Sequence, residues 1–224
     1  LGLVGSEMCI RDRGEGLRVW TSTQTPHNTQ RGLVDMFDMA EDKVRVITPD
    51  VGGGFGPKNQ VYPEEMMVPL AAKLLGRPVK WVEDRREHFL TTTQERDQVW
   101  EVSVAVDENG RILGLKGHLV HDAGAYLPWG IIMPYISAST LPGPYRVPSY
   151  RLEVSVAFTN MVATTPMRGA GRPQAVFVME RLVDLIAREL ALDPAAVRDR
   201  NFIAAADMPL SLIHISEPTR PSSI

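Results

Sequence analysis

The feature that most restricts this chain is Val51-Gly52-Gly53-Gly54-Phe55-Gly56-Pro57-Lys58, a glycine-rich run set between a β-patterned and a helix-patterned segment. Upstream, residues 43–48 alternate Val44, Val46 and Thr48 with Lys43, Arg45 and Ile47, the period of a strand. Downstream, residues 64–75 put Met67, Leu70, Ala71, Leu74 and Leu75 on one helical face, with Gly76 where a C-terminal cap belongs. Glycines let a loop reach positive φ and approach a ligand closely, with main-chain N–H groups converging on an anion. The run is not a Walker loop, in which glycine directly precedes lysine and Ser or Thr follows; here Pro57 precedes Lys58 and Asn59 follows it. The dinucleotide fingerprint fails as well, because its third glycine falls on Pro57. Taken alone, the loop reads as an anion cradle, with a purely structural turn as the alternative.

The rest of the pattern fills in a mixed fold. Residues 17–21 form a short strand that runs into Ser22-Thr23-Gln24-Thr25-Pro26-His27. Residues 28–39 form a helix with Leu33, Val34, Phe37 and then Ala40 at helical spacing. Residues 79–83 are strand-like, and residues 99–106 alternate cleanly around Val102, Val104 and Val106. Asp107-Glu108-Asn109-Gly110 supplies turn chemistry for a hairpin into residues 111–121, and residues 150–159 form a further strand. Residues 173–190 give the clearest helix, with Val176, Met179, Leu182, Val183, Ile186 and Leu190 as its apolar stripe. Asp193-Pro194 opens a last helix, the aspartate as cap and the proline at the first helical position. Hairpin strands beside separate helices define the fold class as α+β (mixed α/β).

Composition excludes several classes. Lys and Arg number 24 against 27 Asp and Glu, a formal charge of −3, whereas a nucleic-acid module usually carries a basic surplus. No apolar run reaches the roughly 18 residues needed to span a bilayer. A single cysteine, Cys9, excludes an internal disulfide framework, and a cytoplasmic location is expected. The two ends lack the periodicity of the middle and resemble translated sequencing adapters. The expected division is therefore a non-native segment at 1–13, the domain at 14–209 and a second non-native segment at 210–224, which leaves Cys9 and His214 without functional weight.

Two further segments carry chemistry. Pro166-Met167-Arg168-Gly169-Ala170-Gly171-Arg172-Pro173 sets two guanidinium groups among small residues at a helix start, suited to phosphate or a polar heterocycle, though a solvated basic loop has the same composition. Gln24 has an amide that both donates and accepts. His27 has no second histidine at metal spacing, and a capping or surface position is its commoner fate. His118 and His121 stand three apart on a strand, so they point to opposite faces and do not form a metal pair.

Taken in this order, Ser22-Thr23-Gln24, Gly52-Gly53-Gly54-Phe55-Gly56 and Arg168-Gly169-Ala170-Gly171-Arg172 resemble the large subunits of xanthine dehydrogenase/aldehyde oxidase-type molybdenum hydroxylases. Asp122-Ala123-Gly124-Ala125-Tyr126, Gly143-Pro144-Tyr145-Arg146-Val147-Pro148 and the stretch from Asp193-Pro194 to Arg200-Asn201-Phe202-Ile203 support it. The resemblance covers nearly all of 14–209 and implies the first molybdopterin-binding domain of such a subunit. It implies a molybdenum held by a pterin rather than by side chains, the cytosine dinucleotide being one form the family admits, with water as the oxygen source and an aldehyde or N-heterocycle as small-molecule substrate. It further implies partner domains or subunits carrying 2Fe-2S clusters and FAD. By the same resemblance Gln24 approaches the apical oxo group, Gly53, Gly54, Phe55 and Gly56 lie against the cofactor, and the loop Arg168, Gly169, Ala170, Gly171 and Arg172 contacts the metal-site ligands or pterin. The family's general-base glutamate belongs to a later part of the subunit. Departures narrow the substrate. Asn59 stands where purine-oxidising members have glutamate, residues 126–145 hold no arginine, and Gly169 stands where carbon monoxide-oxidising members have cysteine. The competing reading is a noncatalytic cofactor-binding scaffold or assembly protein.

Overall fold

Strands β1 (Glu7–Asp12), β2 (Leu17–Trp20), β3 (Val44–Ile47) and β4 (Lys80–Val82) form one sheet in the order β3-β2-β1-β4. The computed structural model describes residues 7–12 as main chain, and 16–95, 97–126, 129 and 131–208 with their side chains. The strands β2 and β3 pair in parallel, with Leu17 opposite Val44 and Trp20 opposite Ile47. Strand β1 runs antiparallel to both β2 and β4. No element was expected in residues 1–13, yet Glu7–Asp12 supplies the strand between β2 and β4; the segment 210–224 lies outside the described residues. Strand pairing is made by main-chain groups that every non-proline residue carries, so a segment without side-chain periodicity can still fill such a position.

Helices α1 (Pro26–Phe37) and α2 (Pro63–Leu75) cover this sheet, and Leu17, Val19, Leu33, Val44, Val68 and Ala72 form its buried core. The face of α2 differs from the sequence reading. Met67, Leu74 and Leu75 are exposed, and the helix buries Glu65, Val68, Pro69 and Ala72 instead. Both faces of α2 are apolar, so periodicity alone does not choose between them. The cap at its end is as expected, with Gly76 left-handed at φ 60°.

The second sheet has the order β5-β6-β7, from β5 (Gln98–Val106), β6 (Ile112–Gly124) and β7 (Tyr150–Phe158). Its hairpin closes through Asp107, whose carboxylate accepts from the N–H groups of Asn109 and Arg111 at 2.9 and 2.8 Å. The crossover from β6 to the parallel β7 passes through α4 (Ile132–Thr140), which the sequence reading left unassigned, as it did α3 (Arg85–Thr91). Helix α5 (Arg172–Glu189) packs Ala175, Met179, Leu182, Val183, Ile186 and Ala187 into the second core. Val176, placed on the apolar stripe by spacing, is instead exposed, and Ala175 and Ala187 take up the inward positions. Helix α6 (Pro194–Asn201) begins where expected, with the Asp193 carboxylate accepting from Ala196 N–H at 3.0 Å. Buried Asn201 locks it to the hairpin, accepting from Ile112 N–H and donating to the Gly110 carbonyl, both at 2.8 Å.

Candidate functional site

The glycine loop leaves the first core between β3 and α2, and the arginine loop enters the second core between β7 and α5. The two loops meet through main-chain atoms. Arg168 N–H donates to the Phe55 carbonyl at 2.8 Å, and the Arg168 guanidinium lies 5.3 Å from the centre of the Phe55 ring. This contact needs a glycine beside it: Gly56 has φ +103°, and a Cβ there would overlap the Pro166 carbonyl oxygen.

Gln24 is the third partner. Its main-chain N–H donates to the Lys58 carbonyl at 2.9 Å, and its side-chain Oε1 accepts from Gly56 N–H at 2.8 Å. With Oε1 taken, the side chain presents its NH2 group as the outward donor. Gly54 makes room for it, because a Cβ at that position would collide with the Gln24 side chain. Thr23 and Thr25 fasten the strand end, their hydroxyls donating to the Lys58 and Asn59 carbonyls at 3.2 Å each.

The structure therefore brings Gln24, Gly54, Phe55, Gly56 and Arg168 into one cluster of contacts. Gly53 sits on the same loop at φ +101°. Gly169, Ala170 and Gly171 follow one another in the left-handed region, and at Ala170 (φ 40°) that conformation costs roughly 1–2 kcal/mol relative to an ordinary one. Arg172 stands apart. It is exposed and its guanidinium turns back to the Gly169 carbonyl at 3.4 Å. His27 is exposed on α1, and His118 and His121 do lie on opposite faces, bonded to Ser155 and Thr164 respectively.

Sequence reasoning missed Glu65. This carboxylate is buried, accepts from the hydroxyls of Thr21 (2.7 Å) and Thr29 (3.4 Å), and accepts from Tyr62 N–H at 3.0 Å. It joins the strand end carrying Gln24 to the start of α2, on the far side of the glycine loop. Burial pushes its carboxyl above the usual carboxylate range, while its hydrogen bonds pull the other way. The signal was available, since a glutamate at the third helical position is half of a capping box. A cavity of about 200 Å³ opens between the glycine loop and α2, lined among others by Thr23, Gly53, Phe55, Lys58 and Glu65. Lys58 in its wall is held below the usual lysine range by burial, against the raising effect of Glu83.

Residues 6–202 match the family described as molybdopterin cofactor-binding domain, and the chain belongs to that family. Over most of its length it matches large subunits of xanthine dehydrogenase, CO dehydrogenase and aldehyde oxidase-type molybdenum hydroxylases. The nicotine 6-hydroxylase large subunit of Paenarthrobacter nicotinovorans is 38% identical over 191 residues, covering 84% of this chain and 23% of the relative. The 6-hydroxypseudooxynicotine dehydrogenase complex subunit gamma of the same organism is 36% identical over 203 residues, covering 88% and 25%. Among solved structures, quinoline 2-oxidoreductase from Pseudomonas putida 86 superposes with a TM-score of 0.86 at 34% identity, covering 92% of this chain and 27% of that one. The chain thus spans about a quarter of the length of these relatives. Among the described residues, no helix is long and apolar enough to cross a membrane.

Proposed function

We propose that this chain is the first part of the cofactor-binding region of a molybdenum hydroxylase that oxidises an N-heterocycle or aldehyde with oxygen from water. The observation that carries the reading is the meeting of three distant segments at one point: Gln24 Oε1 on Gly56 N–H, and Arg168 N–H on the Phe55 carbonyl. The residues fit the group. Gly54 and Gly56 let Gln24 and the arginine loop close onto the glycine loop, and the exposed Gln24 amide and Arg168 guanidinium beside them offer donors and positive charge suited to an anionic, heterocyclic ligand. When bound, the molybdenum–pterin group accepts the electrons of substrate oxidation. The chain's own residues bind and orient. Gln24 would offer its NH2 group, the main chain at residues 53–56 would lie against the cofactor, and Arg168 would supply positive charge beside the small residues 169–171, with Arg172 further off.

Within the two substrate classes, the N-heterocycle is favoured by the relatives named for nicotine and quinoline. The cytosine dinucleotide form of the pterin, FAD-binding and 2Fe-2S partner subunits, a general-base glutamate downstream, a cytoplasmic location and the non-native origin of residues 1–13 and 210–224 belong to the same proposal. The test is the complete large subunit, purified with its partners and compared with Arg168→Ala. Wild type should contain molybdenum and pterin and turn over a quinoline- or pyridine-type substrate. The variant should lose most of both. Equal metal content and turnover in the variant would remove Arg168 from the site, and a complete reading frame without the downstream glutamate would leave the scaffold reading in its place.

A further inference from the structure

His121 is fully buried in the middle of β6, and the cofactor reading assigns it no role. It sits in a polar network whose directions can be worked out. Trp100 Nε1–H donates to Gln98 Oε1 at 3.0 Å, which fixes the Gln98 amide with its NH2 group facing inward. That NH2 group donates to Ser137 Oγ at 3.2 Å and stands 3.4 Å from His121 Nδ1. A donor faces Nδ1, so Nδ1 is the acceptor and the ring proton resides on Nε2. The Nε2 atom lies 3.4 Å from Thr164 Oγ1, whose own proton goes to the Ala123 carbonyl at 3.3 Å. Ser137 passes the chain on, donating to the Gly171 carbonyl at 3.0 Å.

The two arms end at the two ends of the arginine loop. Thr164 precedes it, and Gly171 closes it at φ +78°, so tightly placed that a Cβ there would sit 2.8 Å from the Met133 carbonyl oxygen and from Ser137 Oγ. Ser137 and Thr164 are themselves buried, so water does not readily replace these bonds.

We propose that His121 is a positioning residue for the arginine loop: the neutral ring holds both ends of the loop, and a second ring proton releases the end held through Gln98. Protonated Nδ1 becomes a donor facing the Gln98 NH2 donor, and the bond between them is lost. The charged groups facing the ring are Asp122 on its own strand and Asp97 just before β5; Glu95, from the same approach to β5, reaches Gly171 N–H at 3.3 Å. Burial holds the ring below the ordinary histidine range of 6.5 against the pull of both aspartates, so at neutral pH the loop is gripped at both ends. A consequence for cofactor retention rests on the proposed function above; the effect on the loop does not.

The experiment is amide hydrogen exchange of peptides spanning residues 164–172 in the complete large subunit, in wild type, His121→Gln and His121→Phe. Glutamine can accept from Gln98 and donate to Thr164 without titrating; phenylalanine keeps the bulk and removes both bonds. At about pH 7.5 the loop amides should exchange roughly tenfold faster in H121F than in wild type or H121Q. As the pH is stepped down from 6.5 to the acid limit of folding, exchange corrected for its intrinsic pH dependence should rise in wild type and stay flat in H121Q. Equal loop protection in H121F and wild type, or the same pH response in wild type and H121Q, would overturn the proposal. Should H121F fail to fold, the comparison of wild type with H121Q decides by itself. Molybdenum and pterin content of wild type, measured alongside, tests the cofactor reading separately: its absence would sink that reading and leave the exchange result standing.

Discussion

Alanine substitutions at Gly54 and Gly56 separate two effects that the glycine loop combines. At Gly56 the backbone stands at φ 103° and ψ −47°, a conformation that side chains rarely adopt and that costs on the order of 1–3 kcal/mol to impose. The new methyl also overlaps the Pro166 carbonyl oxygen, which is main chain and cannot swing aside. Relieving the overlap moves the arginine loop away and breaks the Arg168 N–H bond to Phe55, worth about 1 kcal/mol. Gly56→Ala should therefore destabilise the chain by about 2–4 kcal/mol. Gly54 has no positive φ, and the three atoms nearest its methyl all belong to the Gln24 side chain, which can rotate out. Gly54→Ala should cost about 1 kcal/mol, the bond from Gly56 N–H to Gln24, while turning the Gln24 amide away from its position. Urea unfolding of the 224-residue chain measures both. Cofactor content of the complete subunit should fall in both variants, with only G56A showing a large stability loss. A G56A chain as stable as G54A would refute the claim that main-chain overlap, rather than side-chain displacement, sets the requirement for glycine.

Glu65 predicts a pH dependence with a defined sign. Its folded value lies above 4.5, so the native state binds the proton more tightly than the unfolded chain, and stability rises as pH falls from neutral through the folded value toward 4.5. The difference in unfolding free energy between wild type and Glu65→Gln should follow that rise; a pH-independent difference would mean the carboxyl is not perturbed. The proposed non-native origin of residues 1–13 predicts that an unrelated strand-forming sequence in their place keeps stability within about 0.5 kcal/mol, because the pairing of β1 with its neighbours is made by main-chain bonds. Removing residues 210–224 should likewise leave the unfolding midpoint unchanged, and a clear loss in either case would count against the division at 14–209.

The elements legible in the sequence are those set by local chemistry. Asp107 with Gly110 makes the hairpin turn, Asp193 caps α6, and Gly76 ends α2, each through bonds or dihedrals within a few residues. What local pattern could not supply was the choice between two apolar faces. On α2 the choice fell on Val68 and Ala72, because those residues join Leu17, Val19, Leu33 and Val44 in the first core, a fact of tertiary packing. The short helices α3 and α4 carry too few turns for periodicity to register. For the site, residue types suggested an anionic ligand at each of the two loops, but only the resemblance to a family joined Gln24 to them. The spacing of His118 and His121 placed them correctly on opposite faces of β6, and it could not reveal that one of them is fully buried in a directional network.

The contacts that assemble the site are mostly not side chain to side chain. Arg168 reaches the glycine loop through its N–H, Gln24 reaches Lys58 through its N–H, and even the Gln24 side chain ends on a main-chain donor. The side chains of Phe55 and Arg168, both exposed, stack on one another and leave the loop geometry to the backbone. The glycines are consequently required for what they omit. A methyl at Gly56 would push the two loops apart, and one at Gly54 would evict Gln24, whereas a changed side chain at Phe55 leaves both main-chain contacts available. A site held in this way can vary its side chains while the main-chain contacts between its loops stay in place, and Asn59 shows it, because it is the Asn59 carbonyl, not its side chain, that accepts from Thr25.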